Sequence, residues 1–344
     1  MKKDAYARAG VDVVRVKDIH RSIAASLAAT FSSRKGRFGA PLMGIGHYAG
    51  LIDIGGGNAL AMHTDSVGTK LQLAIQMEKF DTVGIDCVAM TVNDLICVGA
   101  EPVALLDYIA LEREDELLVS GLMKGLVTGA REASTAIVGG ETAILGTMVK
   151  GFDLVSMGVG LVDKTKVVDG SSIGEGDCVI GVASSGLHSN GYTLARSVLQ
   201  ANHSLKEHID ELGSTLGEAM LTPTRIYVRP VLEILRRGDV HGIGHITGGS
   251  FRKLKRLVGE RKLEFALEIP PAPPIFQMIQ REGGLTDTEM FGTFNMGIGL
   301  CICAPPAGAD AIIRTFKRRG FSASRIGAVK RGSGVTVGSL RVAN

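Results

Sequence analysis

The chain of 344 residues has no tryptophan, five tyrosines and eleven phenylalanines, so its core must rest on aliphatic side chains. Cysteine is scarce. The five thiols, Cys87, Cys97, Cys178, Cys301 and Cys303, are odd in number and form no CxxC pair. That pattern argues against a disulfide framework and a zinc site, and it predicts a cytoplasmic location. No apolar run reaches the roughly 18 residues of a membrane span, and MKKDAYARAGVDVV lacks the apolar segment of a secretory signal. Neither sign of charge dominates: 38 Lys and Arg face 35 Asp and Glu, a net +3. The densest basic tract, Arg252-Lys253-Leu254-Lys255-Arg256, is broken by Leu and reads as a solvated helix face. No nucleic-acid partner is expected. Two nucleotide motifs are also missing. No GxGxxG follows the first strand, which disfavours a nicotinamide dehydrogenase. In HTDSVGTK the order Gly68-Thr69-Lys70 is not that of a Walker loop.

What is present begins with glycine, 46 residues of it, implying many tight turns or close backbone approaches to a ligand. The length predicts about two domains. Ile19, Ile23, Leu27 and Phe31 recur every four residues, predicting an N-terminal helix capped by Asp18. Residues 34–46 read as a loop, and strands at 49–54 and 58–63 form a hairpin around Gly55-Gly56-Gly57. GIDCVAMTVNDLICVG predicts a helix closed by Gly99, with its apolar face interrupted by Asp86, Asn93 and Asp94. A strand at 103–111, a helix at 115–133, a short strand at 136–138 ending in GGET and a strand at 152–162 follow. The polar, glycine-rich stretch between Asp163 and Asp177 marks the domain boundary. Beyond it come a strand at 178–183, a helix from Tyr192, a helix at 223–237, a helix from Phe251, and strands near 263–269, 294–303, 322–329 and 335–342. This mixture of hairpins and helices predicts an α+β fold rather than a doubly wound parallel sheet.

Three acids stand beside turns or glycines: Asp65 before SVGTK, Asp94 after Asn93, and Glu141 after Gly139-Gly140. A lone Asp at a turn is usually a cap, but three such sites favour a Mg²⁺–nucleotide centre, since Mg²⁺ takes a few hard oxygens and leaves positions for phosphate. Lys70 would then offset phosphate charge. SSGLHSNG and HITGGSF each open a helix with glycines and small polar side chains, the arrangement of an anion cradle. The alternative is a well-capped helix start, an even match for HITGGSF. His188, within the first loop, is expected to be exposed and to exchange a proton with substrate. His63 and His245 lie in apolar strands and are expected to be packed and hydrogen-bonded.

In combination, TDSVGTKL, VNDLICVGAEP, VGGETA, SSGLHSNGYTLAR, LTPTRIYV, HITGGSF and TFNMGIG resemble the phosphoribosylformylglycinamidine cyclo-ligase (aminoimidazole ribonucleotide synthetase) family over nearly the whole chain. The resemblance implies two α/β domains and a homodimer whose N-terminal sheets join into a β-barrel. Residues 1–165 would bind ATP and dimerise, and 166–344 would carry substrate and phosphate loops. It implies ATP and Mg²⁺ as cofactors and formylglycinamidine ribonucleotide as substrate. Asp65, Ser66, Thr69, Lys70, Asn93, Asp94, Gly139, Gly140 and Glu141 would line the nucleotide, with Asp65, Asp94 and Glu141 on the metal. Ser185, Gly186, His188, Ser189, Asn190, Thr247, Gly248 and Gly249 would hold substrate, and Asp94, His188 and Lys70 would act in catalysis. The implied reaction is ATP-dependent ring closure; a small-molecule kinase and a non-catalytic ATP-binding relative are the alternatives. The chain departs from the family pattern at Ser66, at Ala24, in GRFGAPLMGIGHYAG, in SFRKLKRL and at Gly292.

Overall fold

The computed structural model describes residues 13–343. Helix α1 (Val13–Ala28) is already helical at Val13, so Asp18 lies inside it and is not its cap. Its predicted apolar stripe forms but remains uncovered: Ile19, Ile23 and Leu27 are all exposed.

The first sheet holds β1 (Gly50–Asp53), β2 (Asn58–Ser66), β3 (Glu101–Leu111), β4 (Ala136–Ile144) and β5 (Phe152–Asp163), in the spatial order β1-β2-β5-β3-β4. The β1–β2 hairpin turns at Gly55-Gly56-Gly57, all three with φ between 58° and 82°, a region open to glycine at little cost. Three helices accompany this sheet: α2 (Lys70–Met77), α3 (Asp81–Cys97) and α4 (Glu116–Ala133). Asp115 caps α4 by accepting from Leu118 N–H at 2.9 Å. The α3 and α4 backbones touch where Gly125 meets Asp81; a Cβ there would fall 1.9 Å from the Asp81 carbonyl oxygen. That contact brings α3 deep into the molecule, and all but two of its 17 residues are buried.

The chain leaves the first sheet at Asp163 and enters a second at β6 (Cys178–Ala183). A two-stranded ribbon, β7 (His208–Ile209) and β8 (Ser214–Thr215), lies between. The second sheet joins β6 to β9 (Gly242–His245), β10 (Leu263–Leu267), β11 (Ile298–Ala304), β12 (Ala323–Arg331), β13 (Gly334–Val337) and β14 (Leu340–Ala343), in the order β14-β13-β10-β12-β6-β11-β9. The strand expected at 335–342 is thus a hairpin, turning at Gly338 with φ 54°. Helices α5 (Tyr192–Asn202), α6 (Leu216–Leu221) and α7 (Val228–Arg237) lie between β6 and β9 in the chain.

Helix α7 begins at Val228 and not at Pro223. The intervening TPTRI segment is spent on α3: Asp86 Oδ1 accepts from Thr224 N–H and its hydroxyl at 2.7 and 2.6 Å, and Asn93 Oδ1 accepts from Tyr227 N–H at 2.9 Å. Asp86 and Asn93 are seven residues apart, two helical turns, and so share a face. The polar interruption of α3 is therefore its docking face for the second unit. One continuous buried core spans both units.

Candidate active site

The deepest polar cluster forms where β9 of the second sheet meets the end of α3. His245 Nδ1 donates to Asp94 Oδ1 at 2.7 Å, with the imidazole fully buried and the carboxylate nearly so. His63, on the helix-facing side of β2, places Nε2 3.4 Å from Asp94 Oδ2 and 3.9 Å from Asp65 Oδ2. Asp65 remains about one-third exposed and accepts from Ser66 N–H. From the 3₁₀ turn Ser250–Leu254, Lys253 reaches back so that its ammonium donates to Thr247 Oγ1 and stands 5.9 Å from the Tyr48 ring centroid.

The electrostatics follow from burial and charge order. Burial pushes the Asp94 carboxyl up, but the His245 hydrogen bond and the Lys253 and histidine charges overcome it and hold the group at about 2. Burial pushes His63 down, and the Asp65 and Asp94 carboxylates outweigh it, leaving its affinity for a proton raised. Burial lowers the Lys253 ammonium despite the opposing field of Asp94 and Asp65. Several polar atoms here lack partners among the described residues: Tyr48 OH, both His47 ring nitrogens and Asn190 Nδ2 are buried and unbonded. Buried polar groups left unpaired in this way mark where a ligand or water belongs.

The expected site residues divide into those that converge and those that do not. Asp65 and Asp94 are brought together by His63, which stands between them. Glu141 does not join them. Across the sheet Asp65 pairs with Ser156, Ser156 with Asp107 and Asp107 with Gly140, whereas Glu141 pairs with Tyr108 and so faces the opposite side. Among the described residues no three His, Cys, Asp or Glu side chains are grouped to hold a metal ion. Gly140 instead makes room for Asp107: a Cβ there would fall 2.5 Å from Asp107 Oδ1. Gly139 lies beside it on the exposed edge strand β4.

Lys70 is not a free cation. Its side chain is fully buried, 2.7 Å from Asp86 Oδ2, and it donates to the carbonyls of His188 and Thr222. Asn93 is likewise consumed, donating to the Arg225 carbonyl while accepting from Tyr227. His188 is buried, not exposed; burial drives its proton affinity well below the usual range, and Nε2 accepts from Ser185 N–H. Thr69 remains exposed, beside Thr193.

The two glycine-rich loops of the second unit adjoin each other, since a Cβ on Gly248 would meet Asn190 Oδ1 at 2.8 Å. Ser185 donates to the Pro223 carbonyl and Ser189 bonds Thr224, so both hydroxyls are partly spent on loop shape. Gly186 and Gly249, with φ 144° and 84°, occupy turn conformations that a side chain resists. Sequence reading assigned Lys253 to a solvated face; it expected His63 and His245 to be packed and hydrogen-bonded, but not that their partners are the acids. Two of the family departures are neighbours in space: a Cβ at Gly292 would fall 2.7 Å from Arg252 Nη2, the flexible end of a side chain in SFRKLKRL.

Asp65, His63, Asp94 and His245 gather where the two units meet, beside two adjoining glycine-rich loops, and this arrangement defines a class. Residues 46–162 match the N-terminal domain of AIR synthase related proteins, and residues 174–339 match their C-terminal domain. The chain is 45% identical over 332 residues to a phosphoribosylformylglycinamidine cyclo-ligase of Thermococcus kodakarensis, covering 96% of this chain and 97% of that protein. Among solved structures, AaThiL complexed with AMPPCP and TMP superposes with a TM-score of 0.65 at 17% identity, over 95% of this chain and 96% of that one. T. maritima PurL complexed with FGAR superposes with a TM-score of 0.60 at 17% identity, over 88% of this chain and 47% of that one. The chain belongs to the phosphoribosylformylglycinamidine cyclo-ligase family.

Proposed function

We propose that this chain closes the imidazole ring of aminoimidazole ribonucleotide from formylglycinamidine ribonucleotide, consuming ATP and releasing ADP and phosphate. The observation that carries it is the Asp94–His245 contact, which joins the TVND and HITGGS motifs in one buried cluster beside the two anion loops. Support comes from the name of the 45% identical relative, and from structural neighbours of this fold that bind AMPPCP and FGAR.

An amide oxygen is a poor leaving group. In the proposed reaction the formyl oxygen attacks the γ-phosphorus of ATP, expelling ADP and giving an iminophosphate. The amidine nitrogen then adds to the former formyl carbon, and the C–O bond breaks with loss of inorganic phosphate. Attacker and target share one molecule, so positioning supplies much of the acceleration. The protein's task is to align the phosphoryl group, offset its charge and exclude water.

Asp65 and Asp94 are the hard carboxylates that would hold Mg²⁺, with phosphate and water as its other ligands. Mg²⁺ would supply charge neutralisation at the phosphates. His245 fixes the Asp94 carboxylate in one orientation, and His63 links it to Asp65. The loops around Gly186 and Gly248 would receive the ribonucleotide phosphate. The first sheet leaves Val103, Leu106, Tyr108, Met157 and Leu161 exposed, an apolar face suited to a second copy and a closed barrel. A cytoplasmic setting accords with five buried cysteines free of disulfides.

The test is incubation of the purified protein with formylglycinamidine ribonucleotide, ATP and Mg²⁺. The expected result is aminoimidazole ribonucleotide and ADP in equal amounts. A phosphorylated product without ring closure would make the protein a small-molecule kinase, and nucleotide binding without turnover would make it non-catalytic.

A further inference from the structure

The cleft needs a cation to face phosphate, and Lys70 cannot provide it, because its ammonium is buried against Asp86 and two carbonyls of the second unit. Lys253 differs in each respect. It comes from the opposite unit, and its ammonium donates to the Thr247 hydroxyl. No carboxylate among the described residues lies within 4.0 Å of it. Thr247, which accepts its hydrogen bond, stands two residues after His245, whose ring bonds Asp94. The ring of Tyr48 lies 5.9 Å from the ammonium and 6.0 Å from the Arg256 guanidinium, and the Tyr48 hydroxyl is buried without a partner.

A half-buried ammonium with no carboxylate in contact keeps charge that an anion can complete. The acids come from β2 and α3 of the first unit, and this cation comes from the second. Such an arrangement suits a phosphate whose metal-facing oxygens meet Asp65 and Asp94 while another oxygen meets the ammonium.

We propose that Lys253, presented by Thr247, is the cation that grips the terminal phosphate of the nucleotide and follows it during transfer. This rests on the ATP-dependent reading above. The predicted residue type is a lysine or arginine, since a neutral side chain of similar length cannot balance the phosphoryl charge.

The test compares nucleotide binding and turnover in Lys253→Gln, Lys253→Arg and the unaltered protein. Calorimetry with AMPPCP and with ADP should show Lys253→Gln losing at least about tenfold in affinity for the triphosphate analogue. Its affinity for ADP should remain unchanged, which also reports that the variant is folded. Its kcat should fall about 100-fold or more, and Lys253→Arg should recover most of both losses. Equal weakening toward ADP and AMPPCP, or unchanged binding and turnover, would overturn the assignment. So would a loss confined to KM for the ribonucleotide, which would place Lys253 on the substrate phosphate. If the unaltered protein forms no imidazole product yet Lys253→Gln still loses its triphosphate preference, the ring-closure reading fails and the Lys253 assignment stands.

Discussion

Asp94 and His245 lie 151 residues apart in the chain and meet through a 2.7 Å hydrogen bond inside the molecule. The contact ties the last turn of α3 to the edge strand β9, so a motif from each unit depends on the other for its geometry. Asp94→Asn keeps an acceptor for the imidazole and removes only the charge. Ring closure should fall about 100- to 1,000-fold, the scale of losing one preorganised electrostatic contact. The melting temperature should stay within a few degrees of the parent. Near-normal turnover would remove Asp94 from the site.

Lys70 and Asp86 form a second link between the units, and its role is structural. Lys70→Met leaves Asp86 a buried carboxylate with only Thr224 as its partner. Unfolding in denaturant should show a loss of about 3–5 kcal/mol. Pairing it with Asp86→Asn should restore part of that, because the amide oxygen still accepts from Thr224. An unchanged stability together with weakened triphosphate binding would return Lys70 to the phosphate role.

Acid stability should report the Asp94 cluster. The carboxyl is held at about 2 against an ordinary 3.8. A depressed carboxylate contributes its stability in full above the ordinary value and loses it as pH falls toward the folded value. At about 1.4 kcal/mol per pH unit, the contribution is about 2 kcal/mol. His63 has the opposite sign: raised by its neighbouring carboxylates, it contributes in full below its ordinary 6.5 and loses that contribution as pH rises through the raised value. Denaturant unfolding between about pH 4 and pH 2 should therefore be steeper in pH for the parent than for Asp94→Asn. Identical slopes would contradict the assignment.

The open face of the first sheet makes a prediction about assembly. Leu106→Glu or Leu161→Glu places a charge among exposed apolar side chains, where a dimer would bury it. Sedimentation should show a dimer for the parent and a monomer for either variant, with little change in the monomer's own stability. A parent that sediments as a monomer at micromolar concentration would remove the barrel.

Much of the architecture could be read locally. Gly99, with φ 80°, ends α3 as expected, Asp115 caps α4, and the glycine triplet turns the first hairpin. These are short-range effects of backbone sterics and nearby hydrogen bonds, which a few consecutive residues settle. The family was likewise readable, because its longer blocks survive in order. Even the helix that looked too polar gave a true signal. Asp86, Asn93 and Asp94 interrupt its apolar face because a second unit docks there.

What local pattern determined, then, was which segments become helix, strand or turn, and which blocks carry chemistry. Tertiary structure alone decided which charges remain available. Two lysines show the difference: Lys70, beside a phosphate-like turn, is neutralised by a carboxylate from α3, while Lys253, in a tract that looked solvated, turns back to Thr247 and the Tyr48 ring. Strand pairing made the same choice between Asp65 and Glu141, setting them on opposite faces of one sheet. A charge's role depends on its partners and its burial, and both are supplied by residues distant in the chain.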